Sequence, residues 1–157
     1  DFELVGSNGS TVKISQFRGK VVVLAFGFTH CDRICPVTLS ILSQMSKKLG
    51  AAASQVQVVF ATVDPQRDTA ERLREYLANF NPSFLGVTGT PAQLEAVRTA
   101  YGIGAKKEAG KNAALGYQVH HSSFFYVIDR QGKLRLLVPF GKPPDDIVHD
   151  IKLLLRP

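Results

Sequence analysis

The segment 21–28 constrains the fold of this chain more than any other. Its eight residues include no polar side chain, and five of them are β-branched or aromatic. This length and composition predict a strand that is buried on both faces, as in a sheet covered by helices. In segment 31–49, which follows, apolar residues recur at helical spacing, and Gly50 is a typical stop signal. We therefore expect a buried strand that leads into a long helix.

Strands and helices continue to alternate further along the chain. The predicted elements are strands at 56–63 and 84–87 and helices at 69–79 and 90–101. Asp68 is expected to cap the first of these helices, with Glu71 completing a capping box. Pro91 suits the first turn of the second helix. This alternation predicts a largely parallel sheet with helices on both faces.

Both ends of the chain carry hairpin signals. Near the N-terminus, alternating apolar residues flank Asn8-Gly9, a dipeptide typical of a tight β-turn. The elements predicted near the C-terminus are a strand at 121–128, a turn at 129–132, a strand at 133–138 and a helix at 144–155. Segment 102–117 is rich in glycine, alanine and lysine and is expected to be a mobile loop. With no repeat or linker, we predict one α/β domain over residues 1–157 with a mixed, mostly parallel sheet.

The charge balance limits the choice of partner. The chain has a net charge of +6, but its lysines and arginines are spread along the whole length without a basic run containing aromatics. We therefore expect no nucleic-acid binding. Weakly acidic protein surfaces or anionic lipids are better candidates, and the excess could equally serve only solubility. No stretch approaches the roughly 18 apolar residues of a membrane span.

The only two cysteines, Cys31 and Cys35, lie together between the buried strand and the long helix. At a spacing of four residues they share one helix face, and the amides of a first helical turn lower thiol pKa values. Such thiolates are nucleophiles and also ligands for soft metals. The spacing is near the limit for a disulfide, so reversible oxidation is also open. Two buried, purely structural thiols are the alternative.

This motif alone does not separate a metal site from a redox site. The usual redox spacing is C-x-x-C, and this chain has one residue more between its cysteines. The longer spacing suits two ligands around an ion at least as well as it suits disulfide exchange.

Four motifs along almost the whole chain together resemble the Sco/SenC proteins. They are Gly27-Phe28-Thr29-His30-Cys31 with Cys35-Pro36, Asp64-Pro65-Gln66-Arg67-Asp68-Thr69, Gly86-Val87-Thr88-Gly89-Thr90, and His121 followed by Ser122-Ser123-Phe124-Phe125-Tyr126-Val127-Ile128. The resemblance implies a thioredoxin-like fold that binds one copper ion through Cys31, Cys35 and His121. Two thiolates and one imidazole suit Cu(I) and tolerate Cu(II).

The resemblance also implies a role in building the binuclear copper centre of cytochrome c oxidase. The expected partners are the copper-bearing subunit of that oxidase or another copper chaperone. The expected location is the periplasm or the mitochondrial intermembrane space. Since family members usually follow an N-terminal membrane anchor, and this chain starts at Asp1 without a methionine, we expect the full-length protein to be anchored to the inner membrane.

The chain offers three further histidines. His149, in the predicted final helix, is most simply a surface residue, and His30 could form a local hydrogen bond beside Cys31. His120 stands where many Sco/SenC proteins have aspartate. It is therefore a candidate for a substitute or additional ligand, although the family pattern favours His121.

Asp64 is expected at the end of the second buried strand, the sheet edge where sites gather in α/β folds. The resemblance implies that it lies near the cysteines and influences their redox state. The alternative is that Asp64-Pro65 only turns the chain. We expect Asp64 to support the metal ligands, and we assign Arg67, Asp68 and Thr69 to the turn and the helix cap.

Two functions remain in competition. A copper chaperone would bind the ion and pass it on, whereas a thiol-disulfide oxidoreductase would use Cys31 as nucleophile and Cys35 as resolving thiol. Thioredoxin-type reductases carry a cis-proline at the strand facing their cysteines, but no proline occurs between Pro91 and Pro139. A peroxidase fits less well, because Thr29 is two residues before Cys31 and the usual spacing is three. The histidine at that strand favours copper.

Overall fold

The computed structural model describes residues 3–27, 34–100, 107–109, 117–119, 125–138 and 143–155. Within these ranges the chain forms nine strands and four α-helices. The strands are β1 (Glu3–Gly6), β2 (Thr11–Lys13), β3 (Val21–Gly27), β4 (Val56–Thr62), β5 (Leu85–Thr88), β6 (Lys107–Ala109), β7 (Tyr117–Val119), β8 (Phe125–Ile128) and β9 (Leu134–Val138). The helices are α1 (Ile34–Leu49), α2 (Ala70–Ala78), α3 (Pro91–Ala100) and α4 (Pro144–Leu154).

Seven strands form one sheet in the order β2-β1-β5-β4-β3-β8-β9. The three central strands β3, β4 and β5 run parallel, and the outer pairs are antiparallel. The predicted mixed sheet is confirmed, but the expectation that it is mostly parallel is wrong. The reason is that β1 pairs with β5 in the antiparallel sense, so the N-terminal hairpin extends the sheet beyond β5 with antiparallel pairs.

The predicted burial of β3 is confirmed along its full length. Val21, Val23 and Ala25 belong to the core that contains the apolar faces of α1, α2 and α4. Val22 and Leu24 belong to the opposite core, which contains the N-terminal hairpin and α3. Helices therefore cover both faces of the sheet, as the alternation of strands and helices predicts.

The two predicted hairpins are also confirmed. In the first, Gly9 adopts a φ of 84°, which favours glycine, and the Asn8 side chain accepts a hydrogen bond from the Ser10 amide at 3.0 Å. In the second, β8 and β9 pair on either side of the turn at 129–132. Of the predicted strand 121–128 the structure describes β8, and residues 121–124 lie outside the described ranges.

The segment expected to be a loop at 102–117 is partly a strand, which corrects that prediction. Lys107 pairs with Val119 and Ala109 with Tyr117 in a separate antiparallel pair. Backbone hydrogen bonds define this pair, and glycine, alanine and lysine give little sequence signal for a strand. The mobility expected of this segment stays a prediction. Among the described residues, no helix combines the length and apolar character needed to cross a membrane.

Asp129 fixes the turn between β8 and β9. Its Oδ1 accepts hydrogen bonds from the amides of Gln131 and Lys133, both at 2.9 Å, and Arg135 donates to its Oδ2 at 3.2 Å. Burial acts to raise the pKa of Asp129, but the Lys133 amide, the Arg135 side chain and the Gln131 amide together hold it below its ordinary value of 3.8.

Replacement of Asp129 by asparagine should lower the free energy of unfolding at pH 7 by about 1–2 kcal/mol, since charge-assisted bonds are lost. A lowered folded-state pKa stabilises the fold above the unfolded value and ceases to do so as the pH falls through the folded value. The difference between wild type and Asp129→Asn should therefore shrink as the pH falls below about 4. Urea unfolding at each pH measures it, with Glu75→Gln on the exposed face of α2 as control. An equal difference at pH 7 and pH 3 would contradict this account.

Candidate metal centre

The carboxyl ends of β3 and β4 meet at the same edge of the sheet. Gly27 pairs with Thr62, and the Val63 amide donates to the Gly27 carbonyl at 2.8 Å. Directly after Gly27 comes the segment 28–33, which contains Cys31, and α1 begins at Ile34. This edge is where ligand sites gather in α/β sheets. The segment that contains Cys31 therefore begins at a sheet edge of the kind where ligands bind.

Cys35 is the second residue of α1, and the first turn of this helix contains no acidic residue. The exposed amides of a first turn carry partial positive charge, which stabilises a nearby thiolate. The predicted helix start at Cys31 lies outside the described residues, as do Cys31 itself and the side chain of Cys35.

The predicted third ligand also lies outside the described residues, together with His120 and His30. The position of β8 nevertheless shows at which edge of the sheet the chain that follows His121 joins it. Phe125, the first residue of β8, pairs with Ala25 near the carboxyl end of β3, and the two strands are antiparallel. The chain therefore enters β8 at the edge where the cysteine-bearing segment begins. His149 is exposed on α4, as expected.

Asp64 lies just beyond β4 and is fully buried. Its backbone amide donates to the Thr62 hydroxyl at 3.0 Å, and its carboxylate forms an ion pair with the Arg67 guanidinium, Nε to Oδ2, at 2.5 Å. The Asp64 carbonyl accepts from the amides of Arg67 and Asp68, which closes the turn. The alternative role of Asp64 as a turn residue is thus fulfilled, and its expected support of the metal ligands stays a prediction.

Asp68 is a second fully buried carboxylate beside Asp64. The Thr62 hydroxyl donates to its Oδ2 at 2.8 Å, and Arg72 approaches its Oδ1 at 3.7 Å. The prediction that Asp68 caps α2 is wrong, because its side chain is directed toward Thr62. Thr69 is the capping residue instead, and its side chain accepts a hydrogen bond from the Arg72 amide at 3.2 Å.

Thr62 joins the backbone of Asp64 to the carboxylate of Asp68 through a single hydroxyl, which accepts from the Asp64 amide and donates to Asp68. Sequence reasoning missed Thr62 and Arg67 as members of this network. For Arg67 a signal exists, because an arginine three residues after an aspartate is an ordinary charge-pair spacing. For Thr62 there is none, since its contacts depend on the end of β4 meeting the turn that follows.

The described part of the chain holds no group of three or more histidine, cysteine, aspartate or glutamate side chains arranged to bind a metal ion. The two buried carboxylates are held by arginines and by hydrogen bonds. The predicted copper ligands therefore stay predictions, supported by the position of the strands and helix that lead to them.

Comparison with protein families gives a match over nearly the whole chain. The model of the SCO1/SenC family matches residues 1–156. The chain is 34% identical over 152 residues to an SCO2-like protein of Rickettsia felis, covering 97% of this chain and 74% of that protein. It is 38% identical over 138 residues to the mitochondrial SCO2 homolog of Homo sapiens, covering 84% of this chain. The chain spans about half the length of that mitochondrial relative.

Two solved structures extend the likeness to the fold. The copper-bound structure of Bradyrhizobium japonicum ScoI aligns with a TM-score of 0.89 and 33% identity, over 98% of this chain and 97% of that one. The second is BsSco, described as a member of the Sco family of cytochrome c oxidase assembly proteins in which a disulfide switch is identified. It aligns with a TM-score of 0.78 and 27% identity, over 98% of this chain and 91% of that one.

The Thr62 hydroxyl gives a direct test of the buried network. Thr62→Val keeps the shape but leaves a buried carboxylate and a buried amide each short of a partner, and should cost about 2–3 kcal/mol of unfolding free energy. Thr62→Ser keeps the hydroxyl and loses one methyl group, at about 1 kcal/mol. Urea unfolding of both variants measures these costs. A larger loss in the serine variant would show that packing, and not the hydroxyl, dominates.

Proposed function

The chain belongs to the SCO1/SenC family, and on that premise we propose that it is a copper chaperone for cytochrome c oxidase assembly. It binds one copper ion through Cys31, Cys35 and His121 and passes it to an acceptor protein. The bound copper of Bradyrhizobium japonicum ScoI and the oxidase-assembly family of BsSco support this proposal.

The chemistry of these three donors fits copper. Thiolates and imidazole select soft and borderline metals, and two thiolates leave Cu(I) with a net charge of −1 and Cu(II) neutral. A structural zinc site would require four protein ligands. Asp64 is not needed as a ligand, which agrees with its ion pair to Arg67.

One observation carries the proposal. In sequence, the chain's only two cysteines lie between the end of β3 and the second residue of α1, and β3 and β4 end at the edge where the chain enters β8. The segment that leads to the two cysteines and the segment that leads from His121 into β8 thus leave and join the sheet at the same edge, which supports the proposal. Two cysteines that served only to fill the core would have no reason to lie together at this junction of strand and helix.

Delivery then proceeds by ligand exchange. Each thiol that binds as thiolate releases its proton on loading and regains one when an acceptor thiolate replaces it. Because the metal keeps its bonds to the incoming ligands, no free ion needs to form. His121 is the ligand whose departure costs no unpaired charge, so we propose that it leaves first.

The proposal extends to partners and compartment. The acceptor is the copper-bearing subunit of the oxidase or another copper chaperone. The mitochondrial relative supports the intermembrane space, and the family resemblance implies that compartment or the periplasm, with attachment to the inner membrane.

A thiol-disulfide oxidoreductase is the second candidate, favoured by the reported disulfide switch of BsSco. In this reaction the Cys31 thiolate attacks an acceptor disulfide, breaks its S–S bond, releases one acceptor sulfur as a thiolate and forms a mixed disulfide with the other. The Cys35 thiolate then displaces the acceptor thiol, so the acceptor gains two electrons and this chain becomes oxidised.

Replacement of either cysteine by serine should abolish tight copper binding. Loss of a residue that only hydrogen-bonds to a metal ligand typically weakens metal affinity by up to about 100-fold. Loss of a direct ligand should therefore weaken copper affinity by more than about 100-fold. Titration of the reduced protein against a competing copper chelator measures the affinity. Met45→Leu removes the chain's only other sulfur, which is buried in the core, and serves as the control. Wild-type affinity in Cys31→Ser or Cys35→Ser would refute the site.

The histidine variants separate the chaperone from the oxidoreductase. His121→Ala should weaken copper binding strongly and leave the Cys31–Cys35 disulfide able to form, because imidazole contributes a metal bond but no sulfur chemistry. His120→Ala should have a much smaller effect, and His149→Ala, on the exposed face of α4, should have none. Copper affinity and the dithiol reduction potential are measured on all three variants.

A larger loss in His120→Ala would reassign the third ligand to His120. If neither His120→Ala nor His121→Ala affects copper but both shift the reduction potential, the oxidoreductase function is favoured and the metal site is refuted.

A further inference from the structure

We propose that the end of the sheet opposite the cysteine-bearing edge is a docking surface for anionic lipid headgroups. This basic end consists of three segments, 14–20, 50–55 and 129–135, which adjoin the starts of β3 and β4 and the turn between β8 and β9. The inference does not depend on copper binding.

The charge of the chain is concentrated at this basic end. Its three segments contain five basic residues and one acidic residue, a net charge of +4 out of +6 for the whole chain. The basic residues are Arg18, Lys20, Arg130, Lys133 and Arg135. The acidic residue, Asp129, is buried and forms an ion pair with Arg135 at 3.2 Å, so the net charge of +4 comes from Arg18, Lys20, Arg130 and Lys133.

Hydrogen bonds hold these segments together as one surface. The Gly19 amide donates to the Arg130 carbonyl at 3.0 Å, and Arg18 donates from Nη1 to the Gln131 carbonyl at 2.6 Å. Arg130 donates from Nη2 to the Gln55 side chain at 2.5 Å, which ties in the segment before β4. Because these hydrogen bonds already order the backbone that carries the basic residues, ligand binding should cost little backbone conformational entropy.

Apolar side chains lie next to the charges. Leu134, adjacent to Lys133, is 47% exposed, and Leu137, further along β9 toward the other edge of the sheet, is 55% exposed. The partners of these leucines in β8 are Ile128 and Tyr126, which share one face of the sheet. Cations beside exposed leucines suit the boundary between headgroups and acyl chains, where charge attraction and apolar burial act together. A nucleic acid would offer no apolar layer for these leucines.

The position of the basic end fits this use. β3 starts beside Lys20 and ends at Gly27, so its seven residues separate the basic end from the cysteine-bearing edge by about 20 Å. A chain docked through its basic end would keep that edge directed away from the membrane and accessible to a soluble partner.

Vesicle binding tests this surface with a pair of charge-matched variants. Lys20→Gln with Lys133→Gln removes two exposed charges at the basic end, and Lys13→Gln with Lys152→Gln removes two exposed charges elsewhere. Both double variants have the same net charge, and none of the four side chains is buried. Each protein is sedimented with vesicles of equal phosphatidylglycerol and phosphatidylcholine, or of phosphatidylcholine alone, after circular dichroism has shown that it is folded.

Wild type should bind the anionic vesicles and not the neutral ones, and the binding should weaken as salt rises from about 50 mM to about 500 mM. The Lys20/Lys133 variant should bind about 30-fold more weakly, since each basic residue near an anionic surface contributes about 1 kcal/mol and 1.4 kcal/mol is a tenfold change. The Lys13/Lys152 variant should stay within about threefold of wild type. Leu134→Ser should weaken the binding that remains at high salt.

Absence of wild-type binding to anionic vesicles would overturn the proposal. Equal losses in the two double variants would also overturn it, because net charge alone would then account for the binding. If the protein ignores vesicles but binds soluble polyaspartate through Lys20 and Lys133, the basic end is an acidic-protein site and the lipid proposal is wrong. Copper affinity should be unchanged in both double variants, so failure here leaves the proposed function standing.

Discussion

Burial of β3 on both faces is the constraint on which the rest of the structure depends. With α1, α2 and α4 on one side and the N-terminal hairpin and α3 on the other, the register of β3 against β4 cannot shift by one residue without moving every β3 side chain into the opposite core, where it would have to be packed again. This register sets Gly27 opposite Thr62. It thereby fixes where the cysteine-bearing segment leaves the sheet and where the turn containing Asp64 begins.

The sheet edge at the end of β3 and β4 carries a free-energy cost, because charged groups are buried there. Two fully buried carboxylates lie there, and a buried charge is tolerated only when it is paired and hydrogen-bonded. Arg67 faces Asp64, and Thr62 and Arg72 face Asp68. These contacts hold the turn in place at the edge where β3 and β4 end. The opposite end of the sheet differs in character, because its exposed charge is almost entirely positive. One strand thus separates the edge where we propose the copper site from the end where we propose the anionic-lipid surface.

The elements fixed by local pattern were predictable from the sequence, whereas those that depend on distant contacts were not. The run at 21–28, the helical spacing of α1 and the turn at Asn8-Gly9 each carry a local signal. The antiparallel pairing of β1 with β5 carries none, so the share of parallel strands was overestimated. The prediction that Asp68 caps a helix is wrong because its hydrogen bond with Thr62 depends on the folded positions of β4 and the following turn. Nothing in the local sequence indicates that bond. The ligand set came from the family resemblance and the donor chemistry, not from spacing alone.

The central claim is that copper is held by two thiolates and one imidazole of this chain. X-ray absorption at the copper edge of the loaded, reduced protein counts these donors directly. The claim predicts one copper per chain, with two sulfur atoms and one histidine nitrogen in its coordination shell. At a protein concentration high enough to load the weakened sites, Cys35→Ser should lose one of the two sulfur atoms and keep the imidazole, whereas His121→Ala should lose only the imidazole scattering. A shell of nitrogen and oxygen atoms without sulfur would contradict the account.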